Sequence, residues 1–241
     1  MKMKSFRVIF ALLLINSCLL TYSQTANSFY DSGLQKMKQE KYNEAIRDFT
    51  RCLEISPTFF EANAERGRAY HMIGKHKEAF LDFEESLKKN KEHPQAFYYR
   101  AKLFQDQKKY KEAMADFDVL LTKRPNFYEG FVDRAFLKVE LKQFDSALED
   151  ISKALRIKSN EPMVFMKRAL IYVEMNKNDL AIADFNKAIE LKPNYGEAYY
   201  HRAKLLINNN QWKLASEDLT SAIKNSYSSI EIFELRALSY E

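Results

Sequence analysis

Apolar side chains recur along this chain on two scales. At the short scale, an aromatic residue at Phe29, Phe97, Phe131, Phe165, Tyr199 and Phe233 is followed four positions later by glycine or alanine, at Gly33, Ala101, Ala135, Ala169, Ala203 and Ala237. Gly67 keeps the register in the one stretch where Asn63 replaces the aromatic. A spacing of four puts both residues on one helical face, and the small one lets a second helix approach closely, which predicts a helix A. Further along, Ala45, Ala79, Ala113, Ala147, Ala181 and Ala215 are each followed four residues later by Phe49, Phe83, Phe117, Ile151, Phe185 or Leu219, which predicts a helix B. At the long scale both patterns return every 34 residues without insertion or deletion. A period of this size predicts a stack of one supersecondary unit rather than a globule.

The polar punctuation agrees. With place one of successive repeats at Ala26, Phe60, Pro94, Tyr128, Pro162, Gly196 and Ile230, the A–B turn carries Glu40, Gly74, Lys108, Lys142, Asn176 and Asn210 at one address. Glycine and asparagine suit a left-handed residue at a helix C-terminus, whereas Glu and Lys there carry a small steric cost. Between B and the next A, Pro57, Pro125 and Pro193 stop helix B, while Pro94 and Pro162 occupy the first position of helix A, where the missing N–H costs nothing.

The aromatic, small, aromatic, Ala, apolar, Ala and Pro pattern, as in Tyr199, Ala203, Trp212, Ala215, Leu219, Ala222 and Pro193, resembles the tetratricopeptide repeat (TPR) family over Ala26 to Glu241. The resemblance implies an all-α fold, a right-handed α-solenoid of antiparallel helix pairs with about six units and a terminal helix. The expected organisation is a signal peptide over 1–23 and one continuous repeat domain over 24–241. Lys36 departs from the family pattern where a tyrosine is expected, and Asn63 where an aromatic is expected. The segment from Ile230 has no helix B and is expected to act as a polar-faced cap through Ser228, Glu231, Glu234 and Glu241.

Charge is periodic too. Asp48, Asp82, Asp116, Asp150, Asp184 and Asp218 follow the helix B alanines by three, and Arg66, Arg100, Arg134, Arg168, Arg202 and Arg236 hold the seventh place, where the first repeat has Ser32. Opposite charges at fixed addresses favour a clasp between packed helices over a ligand-binding ladder. Because Ser32 leaves Asp48 without an arginine in its own repeat, pairing with the next repeat, Asp48 with Arg66 through Asp218 with Arg236, is the expected register.

At the N-terminus, Lys2, Lys4 and Arg7 precede an apolar run from Val8 to Leu20, too short for a membrane span and patterned as a secretory signal. Thr21 and Ser23 suit cleavage before Gln24. Ile15-Asn16-Ser17-Cys18 resembles an imperfect lipoprotein box, a minor route to envelope association through a lipidated Cys18. The expected address is therefore exported: periplasmic, cell-envelope or extracellular. Removal of the three basic residues reduces the formal charge of +5 to +2, and the remaining basic residues alternate with acidic ones, which disfavours nucleic acid. Cys52 remains the one cysteine of the repeats, so no intramolecular disulfide is expected, and its address elsewhere carries Ser86, Leu120 or alanine, which predicts a packing residue.

No metalloprotease pair, phosphate loop, nucleophile elbow or calcium loop occurs, and His71, His76, His93 and His201 have no recurring ligand spacing. The expectation is a noncatalytic chain with no metal or cofactor. The TPR resemblance implies that the second, fifth, ninth and twelfth places of the A helices line a concave groove for a protein or peptide partner. There the chain offers an apolar centre at Val132, Phe136, Val139, Met166, Leu170 and Val173, flanked by Tyr98 and Lys102 and by Tyr200 and Lys204. Such a surface suits a peptide with hydrophobic anchors and some negative charge; packing between neighbouring A helices is the competing reading. Tyr30 and Leu34 stand where carboxylate-clamp relatives carry Lys and Asn, so that subclass is disfavoured. Stacking of a glycan or polymer on Tyr98, Tyr99, Tyr199 and Tyr200 is the alternative function.

Overall fold

The computed structural model of the chain describes residues 25–238. The expected signal peptide, Cys18 and Glu241 lie outside the described residues. Among the described residues every element is a helix: α1 (25–38), α2 (Tyr42–Ile55), α3 (Phe60–Met72), α4 (His76–Lys89), α5 (Pro94–Asp106), α6 (Tyr110–Lys123), α7 (Tyr128–Glu140), α8 (Phe144–Ile157), α9 (Pro162–Glu174), α10 (Asn178–Leu191), α11 (Gly196–Asn208), α12 (Trp212–Lys224) and α13 (Ile230–Leu238). They fall into two compact units, the first ending at Arg124 and the second beginning at Pro125. Three A–B pairs, α1 to α6, make the first unit. Three more, α7 to α12, followed by α13, make the second.

Each pair closes where the sequence has its small residues. The helix B alanines Ala45, Ala79, Ala113, Ala147, Ala181 and Ala215 are fully buried, as are Phe49, Phe83, Phe117, Ile151, Phe185 and Leu219 one turn later. Each of those large side chains contributes about 1.5–3 kcal/mol through burial. In the first pair a Cβ on Gly33 would lie 2.5 Å from the Phe49 ring, and in the second a Cβ on Gly67 would lie 2.7 Å from the Phe83 ring. The A–B turns adopt the expected left-handed residue at all six addresses, with φ of 58° at Glu40, 75° at Gly74, 57° at Lys108 and Lys142, 55° at Asn176 and 56° at Asn210. Paired backbone bonds close them, such as Lys41 N–H to the Lys36 carbonyl at 2.9 Å and Glu40 N–H to the Met37 carbonyl at 3.2 Å. These two bonds per turn offset the steric cost at Glu and Lys.

The charge clasp forms, but within repeats. Arg66 grips Asp82 with Nε at 2.8 Å and Nη2 at 2.7 Å, and Arg100–Asp116, Arg134–Asp150, Arg168–Asp184 and Arg202–Asp218 repeat the two-pronged geometry. The expected next-repeat register is therefore wrong. Antiparallel packing sets the seventh place of A opposite the Asp of its own B, sixteen residues on. What does cross to the preceding helix B is the remaining Nη1, from Arg66 to Thr50 at 3.1 Å, from Arg100 to Glu84 and from Arg202 to Asn186 at 2.6 Å. The guanidinium also lies over the fourth-place aromatic, 5.7 Å from the Phe97 centroid in Arg100 and 5.5 Å from Phe165 in Arg168.

Local company sets the ionisation of the buried aspartates. Burial pushes Asp150 up, but hydrogen bonds from Arg134 and Lys138 outweigh it and hold the carboxyl below its ordinary value. Burial also pushes Asp116 up, and there Arg100, shared with Glu84, does not reverse it.

The terminal helix departs from expectation as well. Ile232 of α13 is fully buried against the last pair, and Glu231 turns back to Tyr200 Oη at 2.6 Å and Lys204 Nζ at 3.0 Å. Ile230, Phe233 and Leu238 remain exposed, so the outer side of this helix is not the polar face expected of a cap. The acidic position Glu231 is used for docking because α11 presents a hydroxyl and an ammonium to it.

Candidate functional site

Three successive A helices of the first unit, α1, α3 and α5, line a cavity of about 510 Å³. Tyr30 and Leu34 come from the fifth and ninth places of α1. Glu61 and Glu65 come from the second and sixth places of α3, and Gln95 and Tyr99 from the same places of α5. Phe60 and Pro94 at the helix starts, Asn90 and His93 from the preceding turn, and Arg124 after α6 complete the wall.

Helix starts and turns place the polar groups. Glu61 lies in the first turn of α3, where the helix dipole favours a carboxylate. Glu65, one turn on, is 8% exposed and accepts a hydrogen bond from Tyr99 Oη at 2.9 Å and another from Arg68 at 3.3 Å. Burial, together with Glu65 and Glu61, raises the Tyr30 phenol well above its ordinary value, so it stays protonated. The Tyr99 phenol is raised in the same way, by burial and by Glu65.

His93 is 6% exposed and has a fixed tautomer. The Ser86 hydroxyl donates its one proton to the Phe60 carbonyl at 2.8 Å, so Oγ can only accept from His93 Nδ1, 2.9 Å away. Nδ1 therefore carries the proton and Nε2 a lone pair. Burial, assisted by Arg124, lowers the His93 pKa to about 4, so the ring is neutral at physiological pH.

The residues expected to form the site lie in both units. In the first, Tyr98 and Lys102 are half-buried on α5, with the Tyr98 ring 5.7 Å from that of Tyr99. In the second, Val132 is 3% exposed and Met166 fully buried, so both are interior packing residues in this conformation. Phe136, Val139, Leu170 and Val173 are half-buried along α7 and α9, and Lys167 Nζ covers the Phe136 ring at 4.4 Å from its centroid. Tyr200 is buried, and Lys204 is engaged with Glu231. Tyr99 and Tyr200, two of the tyrosines considered for sugar stacking, have their hydroxyls committed to Glu65 and Glu231.

Cys52 is fully buried against Ala26 and Ala62, and burial raises its thiol to about 11. Among the described residues no three His, Cys, Asp or Glu side chains are grouped to hold a metal ion, and no helix is long and apolar enough to cross a membrane.

Two family profiles match the chain. One, described as tetratricopeptide repeat, matches residues 30–89 and 81–126, and the other, described as TPR repeat, matches 169–210. Together they span more than half of the sequence. The chain belongs to the tetratricopeptide repeat family. No curated protein sequence matches it. By fold, a chain of the APC/C hetero-tetramer Cut9–Hcn1 is similar with a TM-score of 0.79 at 14% identity, over 95% of this chain and 46% of that one. This chain thus spans less than half the length of that relative. PilF of Pseudomonas aeruginosa is similar with a TM-score of 0.75 at 17% identity, over 90% of this chain and 99% of that one. YrrB, a TPR protein with an unusual peptide-binding site, gives 0.57 at 17% identity, over 78% and 97%. At these identities the likeness is one of fold. TPR proteins are in general noncatalytic scaffolds for protein–protein interaction.

Within this TPR protein the sequence pointed to Tyr30 and Leu34 as groove places and to Tyr99 only as a stacking surface for sugars, and it missed Glu65, His93 and Arg124. The signal for Glu65 and Tyr99 was present at the sixth place, which reads Asp31, Glu65, Tyr99, Asp133, Lys167 and His201 and so varies from repeat to repeat. His93 and Arg124 arrive from segments between helices, where the repeat pattern carries no orientation.

Proposed function

We propose that this TPR protein is a noncatalytic scaffold that holds a peptide segment of a partner protein along its A helices. The observation that carries the reading is the cavity of the first unit, walled by α1, α3 and α5 and by second-, fifth- and ninth-place side chains. It is concave, mixes apolar walls with a few polar groups, and so has the makeup of a recognition site. The half-buried apolar side chains of α7 and α9, from Phe136 to Val173, extend the same reading to the second unit as a separate contact surface. The signal pattern over residues 1–23 supports an exported protein acting in the periplasm, the envelope or outside the cell.

Gln95 is exposed at the cavity wall and accepts a larger side chain without loss of packing. Gln95→Trp in the full chain is therefore expected to abolish capture of the partner from envelope extract while leaving the thermal unfolding midpoint unchanged. Capture equal to that of the unaltered chain would reject the groove as the binding surface.

A further inference from the structure

The first-unit cavity is selective in its chemistry. Its walls include three aromatic rings, Tyr30, Phe60 and Tyr99. Its polar groups are mainly acceptors. Among the described residues, Glu61 has no hydrogen-bonding or ion-pair partner, Glu65 keeps acceptor capacity beyond its bonds to Tyr99 and Arg68, and His93 Nε2 offers a lone pair that no donor fills. The His93 side chain is more than nine-tenths buried and lines the cavity, so a ligand in the cavity reaches this lone pair at a ring held in place by Ser86.

Resting on the scaffold reading, we propose that the cavity takes an arginine side chain presented by the partner segment. A guanidinium is planar, stacks on aromatic faces, and carries five N–H donors and no acceptor, so it meets all three acceptors where a single point charge meets fewer. The protein already uses this chemistry in its repeats, where an arginine lies over an aromatic ring and donates to a carboxylate. Arg124 is the cation among the lining residues. It is exposed, so water screens its repulsion of a guanidinium more than it screens the attraction of the sheltered Glu65. A lysine ammonium would satisfy the charge but not the plane. A carboxylate would face Glu61 and Glu65.

The test uses the full mature chain, isotope-labelled, titrated at neutral pH with acetyl-Gly-Arg-Gly-amide and with its Lys and Glu counterparts. The arginine probe is expected to give saturable amide shifts at Tyr30, Glu61, Glu65 and Tyr99, with affinity about fivefold above the lysine probe and none for the glutamate probe. Glu61→Gln, which removes a carboxylate without a side-chain partner, is expected to weaken the arginine probe about fivefold while the chain stays folded, its melting point lowered only by the lost helix-dipole contact. Equal binding of Arg and Lys probes, preferential binding of the Glu probe, or no shifts at millimolar arginine probe would each overturn the assignment. Loss of capture by Gln95→Trp alongside such a failure would leave the scaffold reading standing and remove only the arginine.

Discussion

Lys36 Nζ lies 2.6 Å from Oδ2 of Asp48, and this ion pair replaces the arginine that the first repeat lacks. Ser32 Oγ donates to the same oxygen at 2.7 Å. Burial pushes Asp48 up, and Lys36 and Ser32 outweigh it, holding the carboxyl below its ordinary value. The two departures of the first repeat, Ser32 at place seven and Lys36 at place eleven, are therefore one compensated exchange. Lys36→Met is expected to destabilise the first unit by about 1–3 kcal/mol, because it leaves a buried carboxylate with no ion-pairing cation and only the Ser32 hydroxyl. Adding Ser32→Arg should recover most of that loss in urea unfolding. A double variant no more stable than Lys36→Met would show that the arginine place is not available in this repeat.

Asp150 is fully buried with Arg134 and Lys138 each 2.7 Å away and Lys153 at 3.9 Å, and its pKa is lowered by Arg134 and Lys138. A carboxyl whose folded-state value is depressed contributes stability that is present above its unfolded value and is lost as pH falls through the folded one. Asp150→Asn should therefore cost about 3–5 kcal/mol at neutral pH, since two half-buried cations lose their counter-charge. The gap between the variant and the unaltered chain should stay level from pH 7 to about 5 and narrow below about 4. A gap that widens on acidification would contradict the assigned sign.

The repeats were legible because their determinants are local. Ala45 and Phe49 define a helix B face by spacing alone, and Glu40 sits at an address where Gly74 and Asn176 give away the left-handed turn. The clasp register was not legible. Asp48 is eighteen residues from Arg66 and sixteen from Ser32, and only the antiparallel seating of B on its own A decides between them. The cavity was half legible for a related reason. Tyr30 and Leu34 fall at groove places, but Glu65 is held there by Tyr99 from the next repeat, a pairing across tertiary structure with no trace in either residue's spacing.

Ser86 joins Phe60 to His93 through one hydroxyl. Ser86→Ala would leave the Nδ1–H of the buried His93 without a partner, at an expected cost of about 1–3 kcal/mol. In the unaltered chain, side-chain nitrogen NMR should show His93 protonated at Nδ1 and titrating at about 4, well below the ordinary 6.5. Titration near 6.5 would mean that the ring is solvated and the lone pair of Nε2 not sheltered.

Cys52 has no exposed surface, and burial moves its thiol up to about 11. Little thiolate therefore exists at neutral pH, and no reagent reaches it in the folded state. Ellman's reagent should label native protein only as fast as the first unit opens, and label urea-unfolded protein at once. Rapid stoichiometric labelling of the native chain would place Cys52 at the surface.

Met166 decides how the second unit is to be probed. Its fifth-place address suggests a groove, yet it is fully buried among Ala169, Phe185 and Ala198. An aspartate there would bury a charge with no cation assigned to it, costing about 3–5 kcal/mol or more, a large part of the roughly 5–15 kcal/mol that holds a domain together. Met166→Asp should therefore lose the cooperative unfolding transition of the second unit rather than yield a folded protein that has lost its partner. Val173→Thr, at a half-buried place on the same helix, keeps the shape and should cost less than about 2 kcal/mol. Circular dichroism and thermal melts separate the two outcomes. If Met166→Asp melts like the unaltered chain, the side chain is reachable by solvent, and α9 presents its fifth place to a ligand after all.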